Sequence, residues 1–496
     1  MKQLLLHLIA TLTLFAFVSS CSIQESPITG SKRAYAYSWE QEIELGRNAD
    51  SEIVAQFGEY PDEQVAGYVD RLSREILGES HLRREDVPEK YQNTEFTFRV
   101  LDSPVVNAFA LPGGYVYVTR GLLAHLNNEA QLAVVQGHEI GHVAARHASQ
   151  RGLQQTIGQF AVVGGAILGQ ELLGLPGESL LNLSSTAAQL LFLSYSRDNE
   201  RESDKLGVEY AAMNGYAAEE GAEFFTSLKR ISEESGQTIP NMLSSHPDPG
   251  EREQNIPRMA REWEEKGYEQ TIRNTESYMQ MLDGIIYGDN PRNGYVTDGR
   301  FVHPEMRFQF NAAEGWQVIN EASRVIQVNE NGNAVIIFSI DSEADGARQS
   351  VEKYEGEEGF TTLESGDVVT SDRWPAYRGV YSVQTDSGEL TVHVVSVEFN
   401  SRVYQFLSYT SSEAYDDFEP AFDGVSLSFD ELSDPSILNI EPVRLRIERT
   451  SESALFRNLL PGTLPMDITP EEIAILNQVN LDERIEAGTF IKIPTQ

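Results

Sequence analysis

The chain contains a single cysteine, Cys21, which excludes an internal disulfide, so the fold must be held by its apolar core. Basic residues are also scarce, with 38 Lys and Arg against 76 Asp and Glu and a formal net charge of -38. A charge of this sign repels phosphate backbones and argues against nucleic acid as a partner. The apolar runs at 4–18 and 160–168 are both too short for a comfortable membrane span.

The first residues, MKQLLLHLIATLTLFAFVSSCSIQ, have the layout of a secretory signal, with a basic residue, an apolar run and then small residues. The run Val18-Ser19-Ser20-Cys21 resembles the lipobox of bacterial lipoproteins, in which the cysteine is lipidated and becomes the first mature residue. Residues 1–20 would then be the lipoprotein signal peptide, and an ordinary cleaved signal is the alternative. By resemblance to Gram-negative sorting, Ser22 favours the outer membrane, with the body of the protein in the periplasm.

Three of the nine histidines lie in QGHEIGHVAARH, residues 136–147. Apolar residues at helical spacing and the lack of proline predict a helix through this segment. His138 and His142 would lie about 40° apart around the helix axis and one turn along it, so both could bind one metal ion, as in the HExxH motif. His147, nine residues after His138, is expected about 180° round the axis and pointing away from the metal.

The third ligand must come from elsewhere, because a metzincin would have glycine at 145 and histidine at 148, and both positions are alanine. The segment SYSRDNERESDKLGVEYAAMNGY predicts a second helix that ends at Asn214-Gly215. Glu200 on this helix is a candidate third ligand of a His2Glu zinc site with an open position for water. Asp204, one turn on, could hold a ligating histidine in its tautomer. A solvated, charged helix face is the alternative.

Several motifs occur in the order typical of one family. They are ITGSKR (28–33), EQEIELGR (40–47), NAFALPGGYVYVTRGLL (107–123), GHEIGHVAARH, the pair Glu200 and Asp204, and SSHPDPGER (244–252). With them, residues 25–285 resemble metallopeptidase family forty-eight, zinc endopeptidases that include CAAX prenyl proteases, HtpX-type heat-shock peptidases and periplasmic beta-barrel assembly-enhancing proteases. The resemblance implies a mainly helical gluzincin-type domain over 21–290 with a small edge-strand sheet.

The resemblance also implies roles for single residues. His138, His142 and Glu200 would bind one zinc ion per chain, Glu139 would be the general base, and Asp204 would support the site. This agrees with the chemistry of the residues, because zinc lowers the pKa of its bound water and a carboxylate beside it can accept the proton.

His246 and Arg252 resemble the residues that reach over the cleft of these enzymes. Two roles are open for His246. It could contact the transition state as an oxyanion partner, or it could cap the metal and hold the enzyme shut, as in some relatives.

Pro112-Gly113-Gly114 predicts a turn, and Tyr115 to Thr119 predicts a strand. In zinc peptidases of this kind an edge strand pairs with an extended substrate, and an ordinary internal strand is the alternative. The run FAVVGGAIL at 160–168 predicts a buried or interfacial helix, part of a flap over the cleft, rather than a membrane span.

Beyond a turn-rich linker at 287–300, β-branched and aromatic segments with one helix predict an α+β domain over 300–432, similar to the PsbP or Mog1 type. Its two histidines, His303 and His393, are expected to be structural. Residues 441–496 are expected to form a LysM-like module, a small βααβ unit. Their end, TPEEIAILNQVNLDERIEAGTFIKIPTQ, resembles the second half of such a module, while the first half departs from it. Peptidoglycan is a candidate ligand there, and a packing module without a ligand is the alternative. The overall fold class is therefore α+β.

Two hypotheses for function follow. The first is a zinc endopeptidase that hydrolyses misfolded or stalled envelope proteins in the periplasm, anchored by lipid to the outer membrane. The second is a chaperone-like lipoprotein that binds such clients or peptidoglycan and rarely cleaves them. The complete His-Glu-His-Glu set favours the first, because a binding protein has no need of Glu139. The sequence shows no tetratricopeptide array of the kind that beta-barrel assembly-enhancing proteases carry.

Overall fold

The structure is a computed structural model that describes residues 22–152, 195–234, 246, 249–357, 359–371, 373–385, 388–465 and 468–496. The predicted signal, Cys21 and the run at 160–168 lie outside these ranges. Among the helices in the described ranges, none has the length and apolar character that a bilayer crossing requires. The described chain mixes helices and sheets, which confirms the α+β fold class.

Thirteen helices can be numbered through the described residues in chain order. They are α1 Trp39–Phe57, α2 Glu63–Gly78, α3 Glu89–Gln92, α4 Arg120–His125, α5 Glu129–Ala145, α6 Arg197–Met213, α7 Gly221–Glu234, α8 Pro249–Glu265, α9 Thr275–Leu282, α10 Ala347–Glu352, α11 Tyr415–Ser426, α12 Pro435–Leu438 and α13 Pro470–Leu476.

The strands are numbered in the same way. They are β1 Ser22–Glu25, β2 Lys32–Tyr35, β3 Thr97–Leu101, β4 Ala108–Leu111, β5 Tyr115–Thr119, β6 Tyr295–Thr297, β7 Arg300–His303, β8 Phe308–Asn311, β9 Gln317–Asn320, β10 Arg324–Val328, β11 Ala334–Asp341, β12 Phe360–Thr370, β13 Trp374–Thr385, β14 Gly388–Phe399, β15 Arg402–Ser411, β16 Asp430–Glu431, β17 Arg444–Arg449, β18 Ala454–Leu455, β19 Arg484–Ile485 and β20 Phe490–Thr495.

Helix α5 lies at the centre of the first part of the chain, and every one of its side chains is buried. Its first turn is capped by Asn128, whose side chain accepts a hydrogen bond from the backbone N–H of Gln131. The helix ends at Ala145 because Arg146 has left-handed backbone angles, φ 59° and ψ 42°. The predicted helix is therefore confirmed as far as Ala145 and is wrong beyond it, since residues 147–152 form a separate helical segment.

A three-stranded sheet with the order β3-β5-β4 packs beside α5. Strand β5 is the predicted strand at Tyr115–Thr119, but it lies in the middle of the sheet, parallel to β3 and antiparallel to β4. The expectation that β5 is an edge strand is therefore wrong. The two edge strands are β3 and β4, and β4, Ala108–Leu111, comes from the same sequence motif as β5.

The part of the chain from Tyr295 to Glu431 contains two antiparallel sheets. The larger has the order β12-β13-β14-β15-β11-β10-β9, and the smaller has the order β16-β8-β7-β6. The predicted helix is present as α11, which buries Phe422 and Val425 against the core of this region. The first strand, β6, begins at Tyr295, inside the segment predicted to be a linker, and it pairs with β7.

The last part of the chain pairs β17 with β20 and β18 with β19, and it contains α13 and a 3-10 turn at Phe456–Asn458. A fully buried lysine, Lys492, connects it to the first part of the chain by hydrogen bonds. The Lys492 ammonium donates hydrogen bonds to the backbone oxygens of Ala124 (2.7 Å) and Leu126 (3.0 Å), just before α5. The expected two helices of a βααβ unit thus correspond to one α-helix and one 3-10 turn among the described residues, and the LysM comparison stays a prediction.

Helices α5 and α6 approach each other closely because glycines lie where they cross. A Cβ atom on Gly207 would lie 2.8 Å from the backbone nitrogen of His138 and 2.9 Å from the carbonyl oxygen of Val134. A Cβ on Gly137 would lie 3.0 Å from the Cα of Gly207. Backbone atoms cannot move aside as a flexible side chain can, so a larger residue at the crossing would push the helices apart.

We expect Gly207→Ala to lower the free energy of unfolding by about 1–3 kcal/mol, because the added methyl group meets backbone atoms. Urea unfolding measures this change. Gly67→Ala is the matched control, since Gly67 lies on the exposed side of α2, where a Cβ would have no atom of the described residues within 4 Å. Alanine there should stabilise the helix by up to ~1 kcal/mol. Wild-type stability in Gly207→Ala would show that the crossing tolerates a wider spacing.

Candidate metal centre

Four buried side chains converge at the crossing of α5 and α6. His138 and His142 come from α5, Glu200 comes from α6, and His246 lies just before α8. Their nearest ligand atoms all lie within 4.8 Å of one another. Three of these four residues are the predicted metal ligands, and the fourth is the histidine for which two roles were open.

The distances between these atoms fit a tetrahedral zinc site. The Nε2 of His138 lies 2.9 Å from the Nε2 of His142 and 3.2 Å from the Nδ1 of His246. The nearest Glu200 oxygens lie 3.5 Å from His138, 3.4 Å from His142 and 3.1 Å from His246. With zinc–ligand bonds of about 2.0–2.1 Å, the edges of a regular tetrahedron would be about 3.4 Å. The residues therefore fit a zinc ion bound at the centre.

The second nitrogen of His138 faces a carboxylate, which favours a proton on that nitrogen. Its Nδ1 lies 2.9 Å from Oδ1 of Asp204, one turn after Glu200 on α6. Burial lowers the pKa of His138, but the carboxylates of Asp204 and Glu200 outweigh it and raise the pKa to about 9. A proton on Nδ1 leaves the Nε2 lone pair directed at the other ligand atoms. Asp204 therefore lies beside one of the candidate ligands, and its supporting role stays a prediction.

Arg252, from α8, joins the two carboxylates of α6. Its Nε donates to Oδ2 of Asp204 (2.8 Å), its Nη2 donates to Glu200, and its Nη1 donates to the backbone oxygen of His246 at 3.4 Å. The guanidinium is buried and lies 4.7 Å from the centre of the Phe225 ring. Arg252 therefore contacts both carboxylates of the site and the backbone of His246.

Glu139 is fully buried beside this cluster, and burial raises the pKa of its carboxyl group. One of its oxygens lies 3.7 Å from Nε2 of His246. Within the described ranges, neither carboxylate oxygen of Glu139 has a hydrogen-bond partner. Burying a carboxylate without a hydrogen-bond partner costs free energy of folding. Beside the candidate ligands, the carboxylate of Glu139 is suited to accept a proton from a water molecule.

His147 contradicts the sequence prediction. Its ring does not point away from the cluster, because its Nδ1 lies 3.0 Å from Nδ1 of His142. The prediction assumed a continuous helix, whereas the left-handed backbone at Arg146 turns the chain and brings His147 behind His142. No local sequence signal marks this break, because Arg146 is neither glycine nor asparagine, the residues that usually adopt these angles.

Tyr195 is a second residue of the site that the sequence did not single out. Its ring stacks on that of His142, with ring centres 4.1 Å apart and planes at 26°. It is buried, and its burial raises the pKa of its hydroxyl far above the ordinary value. Tyr195 therefore fixes one face of a candidate ligand. The signal available in the sequence was its position: Tyr195 directly precedes Ser196, the N-cap of the helix that carries Glu200.

Comparison with known proteins agrees with this geometry. Residues 70–260 match the model for "Peptidase family M48". The "Beta-barrel assembly-enhancing protease" of Yersinia pestis is 28% identical over 233 residues, which cover 46% of this chain and 45% of the relative. "Metalloendopeptidase OMA1, mitochondrial" of Danio rerio is 30% identical over 256 residues, which cover 48% of this chain and 50% of the relative.

These matches span about half the length of the relatives, or less. Among solved structures, that of cyanobacterial PsbP (CyanoP) from Synechocystis sp. PCC 6803 aligns at 12% identity with a TM-score of 0.23. It covers 27% of this chain and 91% of its own. The PsbP or Mog1 comparison for residues 300–432 stays a prediction.

The helix with HExxH, the carboxylates of the next helix and the match over residues 70–260 coincide in one part of the molecule. Residues 70–260, which contain this cluster, are therefore similar to peptidase family M48.

Proposed function

We propose that the protein is a zinc-dependent metalloendopeptidase. The observation that carries the proposal is the convergence of two histidines, a glutamate and a third histidine on one point, with Glu139 buried beside them and without a hydrogen-bond partner among the described residues. His138, His142 and Glu200 would hold one zinc ion per chain. The bound ion would supply a water of lowered pKa and polarise the peptide carbonyl.

The chain's own residues would then handle the proton and the substrate. Glu139 would accept the proton from the attacking water and return it to the leaving amine. Within the described sheet, β4 pairs only with β5, so its other edge is the one that could hydrogen-bond an extended peptide. A substrate bound as a strand favours unfolded segments over folded ones.

We also propose that the substrates are misfolded or stalled envelope proteins. This rests on the relatives named as beta-barrel assembly-enhancing proteases and on the signal-like start of the sequence. The protein would lie in the periplasm, tethered to the outer membrane through Cys21. Peptidoglycan stays a candidate ligand of residues 441–496, which a pulldown with isolated sacculi would test.

Metal analysis and casein hydrolysis on the same variants test the proposed activity. Glu139→Gln should keep one zinc per chain but slow cleavage by about 10²–10⁴-fold, because it removes the general base and no ligand. Glu200→Ala and His142→Ala should each lose the zinc. Asp198→Ala is the matched control on α6, since this side chain is 93% exposed and should affect neither property. Full zinc retention in Glu200→Ala would reject its assignment as a ligand.

The position of His246 favours the capping role over the oxyanion role. Its Nδ1 lies among the ligand atoms, where it would take the fourth position and exclude water. We therefore expect His246→Ala to raise casein hydrolysis, while His303→Ala, in β7 and outside the cluster, leaves the rate unchanged.

The opposite sign would contradict the capping role of His246. Loss of an oxyanion contact would cost about 3 kcal/mol of transition-state stabilisation, or roughly a hundredfold in rate. An unchanged rate would reject both roles and make the residue part of a structural turn.

The membrane anchor is tested separately from the activity. Cys21→Ser should abolish labelling by radioactive fatty acid and move the protein from the membrane fraction to the soluble fraction, because the acyl chains would attach it to the membrane. Unchanged fractionation would point to a plain cleaved signal and another form of attachment.

A further inference from the structure

The break in the helix at Arg146 creates a chain of contacts behind one of the candidate ligands. His147 lies against His142, with ring centres 5.0 Å apart and the two Nδ1 atoms 3.0 Å apart. On its other side, Nε2 of His147 lies 3.1 Å from Oε2 of Glu202. His147 is fully buried, while the side chain of Glu202 is 31% exposed, so the chain of contacts runs from the metal cluster to the surface.

The chemistry of the rings fixes the direction of these hydrogen bonds. The Nε2 of His142 faces His138 and Glu200, so it must present a lone pair if it binds metal, and the proton of His142 must be on Nδ1. Nδ1 of His147 therefore accepts a hydrogen bond from the Nδ1–H of His142. The Nε2–H of His147 in turn donates a hydrogen bond to Glu202. The hydroxyl of Ser203, 3.3 Å from the same Nδ1, can donate a second, longer bond.

We propose that His147 and Glu202 are positioning residues that hold His142 in its metal-binding tautomer and orientation. Asp204 contacts the second nitrogen of His138 directly, whereas Glu202 would act on the second nitrogen of His142 through the imidazole of His147. This inference rests on the proposed function, because it requires that His142 bind zinc.

The N-terminal part of the chain holds this arrangement in place. A left-handed backbone is unfavourable for arginine, so the surrounding contacts must enforce it. The Arg146 guanidinium is buried, donates two hydrogen bonds to Glu42 of α1 (2.9 and 2.6 Å) and one to the backbone oxygen of Tyr37 (2.8 Å), and lies 3.7 Å from the centre of the Tyr35 ring. The segment from β2 to α1 thus fixes where His147 lies.

Zinc affinity measured by competition with a chromogenic chelator tests the proposal in the purified full-length protein. We expect His147→Leu to raise the zinc dissociation constant by about 10–100-fold, the usual range for residues that support a ligand. Glu202→Ala should raise the zinc dissociation constant less, because the imidazole of His147 still contacts His142. The visible spectrum of the cobalt-substituted protein should also shift in both variants, since it reports the geometry of the ligands.

His125→Leu is the matched control. His125 is also buried, but its Nδ1 bonds to the backbone oxygen of Gly121 within α4 and not to the cluster. It should leave zinc affinity and the cobalt spectrum unchanged. If His147→Leu fails to fold, Glu202→Ala decides alone, because its partly exposed position tolerates replacement.

Wild-type zinc affinity and an unchanged cobalt spectrum in folded Glu202→Ala and His147→Leu would overturn the inference while leaving the proposed function intact. Equal losses in His125→Leu would also overturn it, since the effect would then not depend on contact with His142. If the wild-type protein bound no zinc, the proposed function would fail, and this inference with it.

Discussion

The close packing of α5 against α6 is the constraint on which the site depends. Because Gly207 has no side chain, the backbone of α6 reaches the backbone of α5 at His138. One turn before this contact α6 carries Asp204, which faces His138, and one turn before that it carries Glu200, which faces both His138 and His142. A wider spacing would leave the carboxylates short of the imidazoles. The arrangement of the candidate ligands is thus a consequence of helix packing.

The same packing buries two carboxylates side by side, and their negative charges must be compensated. Glu200 and Asp204 are both buried, and burial alone would raise the pKa of Glu200. The neighbouring His246 and His138 instead hold the pKa of Glu200 well below its ordinary value. Arg252 supplies one positive charge to the two carboxylates, so a bound divalent cation would provide the remaining compensation.

The sequence predicted what depends on local geometry. The spacing of His138 and His142, and of Glu200 and Asp204, is set by helical periodicity, and both pairs lie as expected. The prediction for His147 was wrong because the break before it is enforced by Glu42, which is distant in sequence. The central position of β5 was not predicted for a similar reason. Strand β5 pairs with β3, from which it is separated in sequence by a turn and strand β4. No periodicity within a segment reports such contacts.

The central claim is that the cluster of His138, His142, Glu200 and His246 is a zinc site closed by His246. X-ray absorption at the zinc K-edge tests it most directly, because it counts imidazole ligands at about 2.0–2.1 Å from the metal. In the wild-type protein the account predicts three imidazoles and a carboxylate oxygen. In His246→Ala it predicts two imidazoles, with water in the vacated position. Two imidazoles in both proteins would contradict the account and leave His246 outside the coordination sphere.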